Sequence, residues 1–186
     1  MKMGLRGRNR AFTLVEAMIV VVIVGVLALL ATMAYRRWVH SAYLVEAQDM
    51  VANIRSAQES FRAENGGYLP VSTQLGPGYD YPATTPGRFK TAWGGPCSGC
   101  LSPNAWTSLN VQPNAPLAFG YSLIVNVGAQ PPSSALKVDG KNLDLTAMVA
   151  PWYIVEADAD MDGNGVFMNV YAVSTTNQVY VNNEGE

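Results

Sequence analysis

The chain has 186 residues, 49% of them hydrophobic and 14% charged, which suits one globular head plus an apolar segment and excludes long disorder. Its formal charge is −2, yet Lys2, Arg6, Arg8 and Arg10 all lie ahead of the first apolar run, and without residues 1–11 eight basic residues face fourteen acidic ones. Nucleic acid is not indicated as a partner, because binding phosphate takes clustered lysine and arginine.

The first element is the run AFTLVEAMIVVVIVGVLALLATM from Ala11 to Met33. Between Phe12 and Met33 only Thr13, Glu16 and Thr32 are polar, and a helix over these 22 residues reaches roughly 30 Å, the thickness of a bilayer's hydrocarbon core. More basic residues precede the run than follow it at Arg36 and Arg37, so the positive-inside bias puts the N-terminus in the cytoplasm. A secretory signal peptide is a poor fit, since Ala31-Thr32-Met33-Ala34 is not a clean A-x-A site and the run exceeds an ordinary h-region. A plain signal anchor leaves Glu16 unexplained, because a carboxylate within a membrane segment is costly and usually functional.

A third reading uses Glu16. A basic leader, a small residue, then FTLVE at the head of an unbroken apolar helix resembles the class III leader of type IV pilins and pseudopilins. That resemblance implies removal of residues 1–11 by a prepilin peptidase, with the cut between Ala11 and Phe12 and methylation of the new Phe12 amine. Glu16 becomes the fifth mature residue and an assembly contact. Gly25 and Tyr35 stand where the family often has a glycine and an aromatic. Two departures are visible: Ala11 takes the place of the usual glycine before the cut, and Met33 that of a common proline, so a straighter helix is expected. The implied partners are the peptidase, membrane lipid before assembly, copies of the chain and other pilins or pseudopilins, and an inner-membrane assembly machinery. The implied location is the bacterial inner membrane, single pass with the head in the periplasm, and then a surface pilus or a periplasmic pseudopilus.

The helical pattern runs on past the apolar stretch. Leu44, Ala47, Val51, Ile54, Ala57 or Gln58, and Phe61 recur at three- and four-residue steps, while Glu46, Asp49, Arg55, Glu59, Arg62 and Glu64 mostly occupy other faces. TMAYRRWVHS holds no glycine or proline to break the helix, whereas Gly66-Gly67 and Pro70 end it. One helix from about Phe12 to Asn65 is therefore expected.

Residues 68–116 read as a long turn-punctuated loop laid over a surface, for eight of the eleven prolines fall between Gly66 and Pro116. CSGC lies within it, so Cys97 and Cys100 form a redox dithiol, half a zinc site or a short disulfide. Loop on both sides argues against a thioredoxin-like site, His40 is the one further ligand of the usual kind, and export favours the structural disulfide.

Strands are expected at 117–127, 143–150, 152–160, 166–174 and 178–182, each rich in β-branched and aromatic residues. The fold class is thus α+β: a long N-terminal helix, transmembrane in its first half and amphipathic in its second, packed on an antiparallel sheet. The expected division is leader 1–11, assembly helix 12–34, amphipathic helix 35–66, loop 67–116 and sheet 117–186.

DADMDGNG resembles the first half of a calcium loop, with Asp158, Asp160, Asp162 and Asn164 as candidate ligands, but Asn169 stands where a bidentate glutamate belongs. The competing reading is a hairpin tip whose Asp-Gly and Asn-Gly pairs supply left-handed turns, with no cofactor. One histidine and no catalytic motif argue against an enzyme, and single acids such as Glu156 have no fixed geometry in the sequence. Function is therefore expected to be assembly: a subunit of a pilus-like filament, with a secretion pseudopilin as the close alternative and a membrane-anchored periplasmic binding domain as the distant one.

Overall fold

The computed structural model describes residues 13–126, 136–138, 141–142 and 151–185, apart from the side chains of Arg36, Lys137, Lys141 and Asn142. Ala11 and Phe12 lie outside the described residues, as does the strand expected at 143–150.

The expected long helix is present as α1, Leu14–Asn65. Its chain divides between two compact units, Met1–Val39 and His40–Glu186. In the first unit the large apolar side chains are exposed on every side of the helix, Leu14 at 77%, Val21 at 71% and Met33 at 67% among them. In the second unit the helix becomes one-sided. Ala47, Met50, Val51, Ile54 and Gln58 are buried, with Leu44, Ala57 and Phe61 packed at their margin. The helix ends at Gly66, whose left-handed φ of 78° lets its amide donate to the Arg62 carbonyl at 2.8 Å.

Among the described residues the other elements are a single turn α2, Ala105–Ser108, and six strands. These are β1 (Gly120–Asn126), β2 (Lys137–Val138), β3 (Lys141–Asn142), β4 (Trp152–Ala159), β5 (Met168–Val173) and β6 (Val179–Asn182). The main sheet is antiparallel in the order β1-β4-β5-β6, and β2 and β3 form a separate two-stranded ribbon. Four of the five expected strands are therefore seen within a residue or three of their expected ends, in an α+β architecture.

Register decides which residues face the helix. Tyr121 pairs with Ala157 and Ala157 with Val170, while Leu123 pairs with Val155 and Val155 with Ala172. These residues join Val51 and Ile54 of α1 in the larger core. The alternate positions, Ile124, Ile154, Val173, Trp152 and Tyr171, build a smaller apolar cluster with Leu75 and Leu136 on the opposite face. All eight residues of β4 are buried, because a strand covered on both faces has no solvent side left.

The long loop does the covering. The Ser72 amide donates to the Leu123 carbonyl at 2.7 Å, and Tyr81 and Tyr121 exchange both main-chain bonds at 2.8 and 3.0 Å. The outer edge of β1 is thereby sealed against pairing with another chain. Further isolated bridges join Thr91 to Leu117 and Gly87 to Asp160. Glu46 of α1 fastens the same loop from the helix side, accepting from the Ala118 amide at 2.9 Å and pairing with Lys90.

Candidate functional site

The apolar start of α1 is closed by a reciprocal cap. The Thr13 amide donates to Glu16 Oε2 at 2.9 Å, the Thr13 hydroxyl donates to the same oxygen at 2.9 Å, and the Glu16 amide donates to Thr13 Oγ1 at 3.2 Å. This is the capping box of a T-x-x-E sequence, which satisfies amides that the first helical turn leaves without carbonyl partners. Glu16 thus has local work within its own subunit, which the sequence reading overlooked although Thr13 and Glu16 stood at the required spacing. Both Thr13 bonds go to Oε2, so among the described residues Oε1 has no donor.

α1 is long and apolar enough to cross a membrane, with a mean hydropathy of 2.9 over its most apolar window and none of that window buried. An unburied surface of this kind, on all sides of a helix, needs lipid or other apolar helices around it.

Residues 6–32 match the family model of the prokaryotic N-terminal methylation motif. A stretch of 69 residues, 37% of this chain, is 36% identical to part of the type IV major pilin protein PilA of Myxococcus xanthus, covering 31% of that protein. The chain spans about a third of the length of the curated relative it matches. No solved structure matches the chain. The matched segment begins ahead of α1 and covers most of its apolar part, including the Thr13–Glu16 cap.

Cys97 and Cys100 are joined in a disulfide, with Cα atoms 5.4 Å apart. Around it the loop is held by main chain: the Leu101 amide donates to the Val71 carbonyl at 2.8 Å and the Thr73 amide to the Gly99 carbonyl at 3.1 Å. The pair is a clip within the loop, with no helix N-terminus behind it to favour a reactive thiolate.

The four candidate calcium ligands do not share one setting. Asp158 is fully buried in β4, where Asn169 Nδ2 donates to its Oδ1. Asp160 lies beyond the strand and is half-buried; its Oδ1 accepts from the amides of Gly163 at 2.7 Å and Asn164 at 3.2 Å, and its Oδ2 from Gly165 at 2.9 Å. Asp162 accepts from the Asn164 amide at 3.0 Å and from Asn164 Nδ2 at 2.9 Å. Gly163 and Gly165, at φ of 80° and 87°, give the turn the left-handed residues it requires. Among the described residues no three His, Cys, Asp or Glu side chains are placed to hold a metal ion.

The head also gathers acids that the sequence did not connect. Asp80 of the loop and Glu156 and Asp158 of β4 are buried together. Desolvation, reinforced by the charges of Asp158 and Glu156, pushes Asp80 up to about 10. Burial and then the Asp158 charge raise Glu156 well above the ordinary carboxylate range, and burial lifts Asp158 to about 6. Alternation along β4 gives part of the signal, since Glu156 and Asp158 sit two apart and share a face. Asp80 is 76 residues away from Glu156, so no local pattern joins them.

Proposed function

We propose that this protein is a structural subunit of a type IV pilus-like filament, assembled through its N-terminal helix after a prepilin peptidase removes residues 1–11 and the Phe12 amine is methylated. The observation that carries the reading is an apolar helix exposed on every side and capped by Thr13 and Glu16, within a segment that matches the N-terminal methylation motif. Such a helix is stable in lipid as a monomer and equally stable once neighbouring helices replace the lipid. The work of the protein is then assembly and not turnover, and the similarity to a major pilin supports this.

In this scheme residues 12–34 hold the subunit in the inner membrane, with the N-terminus cytoplasmic and the head, from residue 35 onward, in the periplasm. The partners are copies of the chain and other pilins or pseudopilins, together with an inner-membrane assembly machinery. Within the filament the Phe12 amine of one subunit meets Glu16 Oε1 of the next while Oε2 stays on Thr13. A pseudopilus of a secretion system would use the same helix and the same contact.

Mass spectrometry of the mature N-terminus tests the processing step. An N-methylated chain beginning at Phe12 is expected, and a chain retaining Met1 or beginning after Ala34 would overturn the proposal. Electron microscopy of sheared cells, decorated with antibody to the head, then distinguishes a surface filament from one that stays in the periplasm.

A further inference from the structure

The loop covers the sheet at a polar spot. In register, Gly120 of β1 lies opposite Asp158 of β4, which lies opposite Asn169 of β5; one step along, Ser122 lies opposite Glu156, which lies opposite Tyr171. Asp80 comes down over this patch from the loop. Its Cβ is so close to Gly120 that a methyl group added there would stand 2.5 Å from it, so glycine at 120 is what admits the acid. Asp80 is 1% exposed, Glu156 5% and Asp158 fully buried.

Donors for three carboxylates are too few. Asn169 serves Asp158 Oδ1, and Glu156 receives the Tyr171 hydroxyl, with the Gly76 amide, which donates to Ser122 Oγ at 3.3 Å, close by. Written as carboxylates, Oδ2 of Asp158 has no donor among the described residues and Asp80 has at most the Ser122 hydroxyl, too distant to close a well-formed bond. Yet Asp158 stands within hydrogen-bonding reach of both Asp80 and Glu156. Two carboxyl groups in contact repel when both are ionised and form a strong hydrogen bond when one holds a proton. The groups facing the trio are Ser122 of β1, Asn169 and Tyr171 of β5, and the Gly76 amide of the loop, with Asn182 and Tyr180 of β6 beyond them. Among the described residues no lysine, arginine or histidine contributes charge to any of the three acids.

We propose that Asp80, Glu156 and Asp158 form a proton-sharing carboxyl cluster that latches the 67–116 loop onto the sheet and loosens it as those protons leave. Asp80 is the part of the latch carried by the loop, and Glu156 and Asp158 are the part carried by the sheet. The latch is a property of the head and stands whether or not the chain builds a filament.

The sign follows from where the protons sit. Folding raises the affinity of these groups for protons, so their stabilising effect is complete below the ordinary carboxylate value of 3.8 for Asp80. It declines as pH rises and is fully lost above the folded value, about 10.

The test is thermal unfolding of the full chain in detergent micelles from pH 5 to 9, followed by tryptophan fluorescence, with Asp80→Asn and Glu156→Gln in parallel. The wild-type midpoint should fall by at least about 10 °C across this range, and Asp80→Asn, which keeps the shape of the protonated acid, should remove half of that fall or more. Trypsin cleavage at the exposed Arg88 and Lys90 should quicken with pH in the wild type, relative to a denatured control, and less so in Asp80→Asn. A wild-type midpoint that is level or rises with pH overturns the proposal, whatever the variants do. So do wild-type and variant curves of equal slope. If Asp80→Asn does not fold, Glu156→Gln carries the comparison. A wild-type midpoint raised by millimolar calcium at pH 8, with no response in Asp80→Asn, would replace shared protons by a bound cation and also overturns it.

Discussion

Gln58 of α1 has no exposed surface, and its side-chain amide closes a two-way bond with the main chain of Leu69, donating to the carbonyl at 2.7 Å and accepting from the amide at 3.0 Å. Leu69 opens the loop that turns back under the head, so this amide sets where the chain goes after the helix ends. Gln58→Leu roughly keeps the volume and leaves the part-buried amide and carbonyl of Leu69 without their partners. The expected loss is about 1–3 kcal/mol, read as a lower midpoint in denaturant unfolding of the full chain in micelles. An unchanged midpoint would show that water or a shifted loop replaces the amide at no cost.

The helix and the sheet were legible because both announce themselves by periodicity. Residues 14–35 are apolar without a period, residues 44–61 with one of three to four, and β4 and β5 carry the β-branched and aromatic runs expected of strands. At position 57 or 58 the period alone could not choose, since both lie near the buried face. The structure puts Gln58 inside because Leu69 meets it there. The turn α2 was not legible: AWTS is too short to carry a pattern, and it is fixed by burial of Ala105 and Trp106. Least legible was the acid cluster, since Asp80 acquires its neighbours only when the loop crosses β1.

The disulfide loop offers a comparison between a covalent link and a close fit. Cys97 and Cys100 enclose so few residues that the link removes little unfolded-state entropy, and reduction should cost no more than about 2 kcal/mol. Gly99, between them, has its open side against the backbone of Tyr79: a Cβ there would lie 2.5 Å from the Tyr79 Cα and 2.8 Å from its oxygen. Gly99→Ala forces two main-chain segments apart and should cost about 1–3 kcal/mol with the disulfide intact. Denaturant midpoints of wild type, with and without reductant, and of Gly99→Ala decide the order, and thiol counting on denatured unreduced protein should find none free.

The Asp160 turn predicts an acid-side response. Desolvation pushes this carboxyl up, but the amides of Gly165, Gly163 and Asn164, together with Asp162, outweigh it and hold it below its ordinary 3.8. Its contribution is therefore present above that value and is lost as pH falls through the lower folded value. Carboxyl carbon shifts of labelled protein should show Asp160 titrating below free aspartate. With its oxygens occupied by the turn's own amides, millimolar calcium should move neither that titration nor the thermal midpoint at pH 7. A calcium-dependent midpoint abolished by Asp160→Asn would assign the turn to a metal.

Thr13 and Glu16 allow the two roles of the carboxylate to be separated. One role is the cap, which needs an acceptor at the third helical position; the other is pairing with a neighbour's amine, which needs a negative charge. Glutamine serves the first and not the second, since it is as good a partner in a capping box as glutamate. Thr13→Ala does the reverse, removing the hydroxyl that receives the Glu16 amide while leaving the charge in place. If Glu16 acts in assembly through its charge, Glu16→Gln should insert and be processed normally yet enter filaments at a small fraction of the wild-type level. Thr13→Ala should keep most of its filament yield. Sheared filament against membrane pool, with N-terminal sequencing of both, measures this. Good yield from Glu16→Gln with a poor one from Thr13→Ala would mean that the helix cap, and not an ion pair between subunits, is what the filament requires of this pair.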